Sequence, residues 1–113
     1  MLTIDALRAY GANVDEGLVR CMNNEGIYLR LVKMAVGDGG YEKLRSALEA
    51  GDIDAAFEAA HALKGALGNL SLTPMYAPAS ELTELLRHKT PGDYSALLDA
   101  LLRQRAVLAD LID

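Results

Sequence analysis

The chain has 113 residues, enough for one domain that buries a core without disulfide or metal staples. Its 11 Lys and Arg against 16 Asp and Glu give a formal net charge of −5, and no basic stripe is present, which argues against nucleic acid and anionic membranes as partners. Hydrophobic residues make up 51% but aromatics only 5%, so Ala and Leu must build the core, a composition suited to helix-on-helix packing. Cys21 is the only cysteine, which rules out an internal disulfide and fits a reducing compartment. Asp5 and Arg8 interrupt the region where a signal peptide needs an apolar run. The longest uncharged stretch, 65–80, holds Asn69, Ser71, Pro74 and Pro78 and is no membrane span. The expectation is a soluble, cytoplasmic, monomeric single domain over residues 1–113.

Punctuation residues divide the chain into successive helices. Thr3 can cap a short first helix that ends by Gly11. Asn13 followed by Glu16 is a capping box for a second, over 14–22. Residues 24–36 form a third, with Tyr28, Leu31, Val32 and Ala35 at helical spacing. The run Gly37-Asp38-Gly39-Gly40 breaks it, and the pattern resumes over 41–50 through Tyr41, Leu44, Ala47 and Leu48. Gly51 closes that segment, and Asp52 can cap the longest one, 53–70. Thr73-Pro74 reads as N-cap and first-turn proline of a helix reaching about residue 88. Pro78 should kink that helix or delay its start. Thr90-Pro91-Gly92 precedes a last helix over 93–112 with a broad Leu stripe. No segment alternates with period two. Short connections between long helices imply an all-α, antiparallel up-down four-helix bundle with extra short helices at its N-terminal side.

The 53–70 helix contains features that stability does not explain. On a helical wheel Ala56, Ala59, Ala60, Leu63, Leu67 and Leu70 form a core face. Asp54, Glu58, His61, Gly65 and Gly68 lie opposite, with Lys64 at one edge and Phe57 toward the core boundary. Each interior glycine costs roughly 1 kcal/mol relative to Ala. Gly65, one turn after His61, and Gly68 share its face, so bare backbone at both is expected to leave the imidazole open to something large. Lys64 neighbours His61 on the surface and would stabilise an anion placed on its ring. A neutral imidazole, with an unperturbed pKa of about 6.5, is a good nucleophile for phosphoryl transfer. Taken singly these residues have ordinary explanations: a solvated histidine, a solvated lysine, glycines at a close helix contact. They converge on one patch.

The run Ala60-His61-Ala62-Leu63-Lys64-Gly65-Ala66-Leu67-Gly68-Asn69-Leu70 resembles the signature of the histidine-containing phosphotransfer (HPt) family, A-H-x-L-K-G-x-x-x-x-L with a small residue seven after the histidine. The resemblance extends from Tyr28-Leu29 through Leu44, Leu48 and Glu49-Ala50-Gly51-Asp52 to Leu72, Met75, Ala79, Leu82 and Leu86. It implies a four-helix bundle with short extra N-terminal helices and a phosphocarrier, not a kinase. It also implies phosphorylation of His61 at Nε2 and exchange with the aspartate of a response-regulator receiver domain or a hybrid sensor histidine kinase. No cofactor would be bound by this chain; Mg²⁺ would come with the receiver. The residues expected to carry the reaction are His61, Lys64 and Gly65, and those expected to meet the partner are Phe57, Glu58, Lys64, Gly65 and Gly68. Ser71 departs from the glycine that many members carry ten residues after the histidine, and Pro78 from a helix-friendly residue. The serine is expected to act only locally at the helix end, and the proline on the geometry of the following helix but not on the site.

Little else carries chemistry. His61, His88 and Cys21 share no metal-ligand spacing. His88, beside Arg87 and Lys89 near a helix end, reads as structural, and Cys21 as a small buried apolar group. No P-loop, dinucleotide fingerprint or kinase motif is present, so no kinase activity is expected. The rival reading is a helical module that binds or blocks a signalling partner without carrying phosphate.

Overall fold

In the computed structural model, which describes residues 1–112, the chain folds into seven helices with no strand among the described residues. They are α1 (Ile4–Tyr10), α2 (Val14–Arg20), α3 (Glu25–Val36), α4 (Gly40–Ala50), α5 (Ile53–Asn69), α6 (Thr73–Arg87) and α7 (Ser95–Ile112). The fold is the all-α bundle expected. α5 packs between α4 and α6, α6 packs on α7, and α3 closes against α7. α3 and α4 together supply one side of the bundle, and short connections make α4, α5, α6 and α7 antiparallel neighbours.

Local chemistry explains most boundaries. The Thr3 hydroxyl accepts from the Ala6 amide, and α1 ends on Gly11 at φ +112°, where only glycine is at ease. The Asn13 side chain accepts from the Glu16 amide, but the reciprocal half of a capping box is absent. The Asn13 amide donates instead to the Ser71 carbonyl, 2.9 Å away. α2 stops at Arg20, two residues before the expected end, because Met22 and Asn23 both turn left-handed at φ 57°. Asp52 caps α5, accepting from the Ala55 amide at 3.1 Å.

Four details of the sequence reading need correction. Thr73 is not the N-cap of α6; fully buried Leu72 holds that position and Thr73 is the first helical residue. The buried turn at Ser71-Leu72 fixes the start, and burial of Leu72 outweighs the preference for a polar cap. α6 begins at Thr73 and continues through Pro78 without interruption, so the proline does not delay its start. Leu31 is exposed, since α3 turns Tyr28, Val32, Ala35 and Val36 to the core and Leu31 away from it. α7 starts at Ser95 rather than residue 93, because the Asp93 carboxylate accepts from the Ser95 amide and sits just outside the helix.

Buried phenols tie the pieces together. Tyr28 donates to the Leu70 carbonyl at 2.8 Å and Tyr41 to the Ala35 carbonyl at 3.0 Å. Burial pushes both tyrosines up to about 12. Gly17 lets Tyr28 approach α2: a Cβ there would stand 2.6 Å from the ring. Arg105 bonds the Val36 carbonyl and lies 4.3 Å over the Tyr41 ring, fastening the α3–α4 junction to α7.

Candidate functional site

α5 is Ala-rich, capped at Asp52, and driven onto the bundle by Ala56, Ala60, Leu63 and Leu67, all buried. Ala56 and Ala60 let neighbouring helices approach closely, while Leu63 and Leu67 each supply about 2 kcal/mol by burial. This orientation turns His61 into solvent near the middle of the helix. The His61 ring stacks on Phe57 with centroids 5.6 Å apart and planes 21° from parallel. Arg87 lies 5.0 Å over the Phe57 ring and pairs with Glu84 at 3.1 Å. Half-buried Phe57 is thus held by Arg87 as well, and it limits how the imidazole can tilt.

Gly65 faces open space: a Cβ built there meets nothing within 4 Å. Lys64 is half-buried beside it and has no ion-pair partner among the described residues. His61, Lys64, Gly65 and Gly68 line a single groove of about 520 Å³. Phe57 and Glu58 lie outside it. Glu58 instead borders a second cleft, between α4 and α5, with Lys43 and Ala62.

Gly68 differs from Gly65. A Cβ on Gly68 would come within 2.9 Å of Tyr76 Cε1, so its missing side chain accommodates the α6 ring rather than a visitor. Open ground beside the histidine is supplied by Gly65 alone of the two.

The far wall of the groove comes from residues that sequence reasoning missed. Arg20 Nη1 donates to the Gly68 carbonyl at 3.0 Å and the Ser71 hydroxyl at 2.9 Å, while Nη2 pairs with Glu16 at 2.9 Å. The Ser71 hydroxyl in turn donates to Glu16 at 3.0 Å. Ser71 has φ +54°, a left-handed conformation that glycine adopts freely and serine only at a cost. The serine in a glycine position was the one sequence signal of this turn. Its hydroxyl is held from both sides by α2, which offsets the strain.

The remaining polar candidates stay apart. His88 is the exposed C-cap of α6, and Cys21 is a buried free thiol at the end of α2. No group of three or more His, Cys, Asp or Glu side chains gathers as a metal-ligand set among the described residues. No helix formed by them is long and apolar enough to cross a membrane.

Comparison with known proteins gives one result. No curated protein and no solved structure gives a significant match to the chain. A family model described as Hpt domain matches residues 40–113, starting at Gly40 where the resemblance in the sequence starts at Tyr28. The matched region spans α4 to α7 and contains the helix that exposes His61, so the chain belongs to the Hpt domain family, whose work is histidine phosphotransfer in two-component signalling.

Proposed function

We propose that this chain is a phosphocarrier that accepts a phosphoryl group on His61 Nε2 and returns it to receiver-domain aspartates, residues 1–113 acting as one unit. The observation that carries the reading is the exposed His61 ring, oriented by Phe57 and facing unobstructed backbone at Gly65. In the forward step the Nε2 lone pair forms an N–P bond while the P–O bond of the receiver's acyl phosphate breaks, releasing its carboxylate. The reverse step returns the phosphoryl group to that carboxylate. Mg²⁺ held by the receiver would screen the transferring oxygens. Lys64, with no carboxylate to neutralise it, supplies positive charge beside the histidine, and Gly65 keeps the approach clear. The partners are receivers, free or within hybrid sensor kinases, and the chain contributes no kinase step of its own.

The test is incubation with a panel of phosphorylated receiver domains. Label should appear on the chain as an acid-labile phosphoramidate, and His61→Gln should fold normally and take none. Label retained on His61→Gln would move the acceptor elsewhere, with His88 the next histidine. Tight receiver binding by wild type without any label would establish a pure interaction module instead.

A further inference from the structure

We infer that the groove running from His61 to Arg20 is the surface on which this chain recognises its receiver, its far half setting affinity and its near half chemistry. The inference rests on the receiver-exchange reading above and extends it to a docking surface. A receiver that brings its aspartate to His61 must also cover the ground next to it, and the groove opens directly from the histidine. Gly68 and Asn69 lie seven and eight residues further along α5, about 10–12 Å up the helix axis. That is too far to touch a transferring phosphoryl group but well within the footprint of a docked domain.

The two ends differ chemically. Lys64 at the near end is unpaired, as suits a site that receives a dianion. At the far end Arg20 is occupied by Glu16, Ser71 and the carbonyls of Gly68 and Asn69, so it offers little net charge. What remains there for a partner is the exposed side chains of Asn69 and Thr73 on a fixed floor. This end fits a polar, hydrogen-bonding segment of the receiver rather than an acidic one. The floor is rigid because α2 is bonded across it, so docking costs little ordering. Glu16 and Arg20 also lie outside residues 40–113, the region shared with the family model. The wall can therefore differ among chains that keep the same phosphohistidine helix, which is what a specificity surface requires.

The experiment uses Asn69→Arg and Thr73→Arg, which place bulk and charge in the far half, with Asn69→Ala as a mild control. Phosphoramidate, a small donor that needs no docking surface, should label His61 equally in all variants. Phospho-chain is then titrated with the isolated receiver, loaded with Mg²⁺, that exchanges fastest with wild type. The receiver concentration for half-maximal transfer should rise at least tenfold in each Arg variant and less than threefold in Asn69→Ala. The rate at saturation should stay within twofold. Unchanged half-saturation in both Arg variants would overturn the inference, and so would a lower saturating rate with unchanged half-saturation. If phosphoramidate-labelled wild type transfers to no receiver, the phosphocarrier reading itself fails, and the docking surface with it.

Discussion

Arg20 and Ser71, 51 residues apart, meet across 2.9 Å where α5 ends. The guanidinium donates to a serine hydroxyl that passes its own hydrogen to Glu16, and the serine backbone is left-handed. Strain and hydrogen bonding therefore oppose each other at one residue. Ser71→Gly removes both and should leave stability within about 1 kcal/mol of wild type. Ser71→Ala keeps the strain and loses the hydroxyl, so it should cost about 1–2 kcal/mol. Urea midpoints of the two variants separate the terms: equal destabilisation would mean that the turn stores no strain.

The two glycines of α5 should respond oppositely. Gly65→Ala adds a methyl group to open space and should stabilise the helix by up to about 1 kcal/mol, whereas Gly65→Gln should fold well and transfer poorly. Gly68→Ala collides with Tyr76 and should lower the melting temperature, with Tyr76→Ala relieving the clash in the double variant. Stabilisation by Gly68→Ala in the wild-type background would show that the Tyr76 ring swings away freely.

Lys64 should act on the phosphorylated state more than on the fold. An exposed pair with phospho-His61 is worth about 0.5–1 kcal/mol and is screened by salt. Lys64→Ala should slow transfer or shorten the phosphohistidine lifetime a few-fold at low ionic strength, and less at high. Its melting temperature should barely move. Loss of all transfer would place the ammonium directly on the phosphoryl group, and no effect at either salt would make it an ordinary surface charge.

Tyr28 and Tyr41 predict an alkaline limit to stability. Both are pushed up to about 12 by burial, while unfolded phenols ionise near 10. Between these values the unfolded chain has lost protons that the folded chain keeps, so stability is full below about pH 10 and falls as pH rises toward 12. Spectrophotometric titration should show these phenols ionising late, with a melting temperature that declines over the same window. Ionisation of every tyrosine near pH 10 in the folded protein would contradict the burial.

The features legible in sequence were those decided within a few residues. Thr3, Asn13 and Asp52 as caps and Gly11 and Gly51 as stops needed only local chemistry, and His61 followed from helical periodicity. What escaped depended on distant partners. Gly68 read as open because Tyr76 arrives from the next helix. Arg20 drew no notice because its carbonyl and hydroxyl partners lie 48 to 51 residues away. Thr73 read as a cap because nothing in the local sequence reveals that Leu72 is drawn into the core.

The bonds that clamp the end of α5 also govern the order in which the molecule can assemble. α5 and α6 are joined by a short turn and can pair as soon as both exist. Arg20 of α2 reaches Gly68 and Ser71 across 48 and 51 residues, and Tyr10 of α1 reaches the Gln104 carbonyl across 94, so the first two helices gain their anchors only after most of the chain has been made. Such contacts come late because closing a long loop costs entropy before any bond repays it. Amide exchange should accordingly find α1 and α2 opening at lower free energy than the α5–α6 hairpin. The serine turn at the end of α5 would then be the last part of the fold to set.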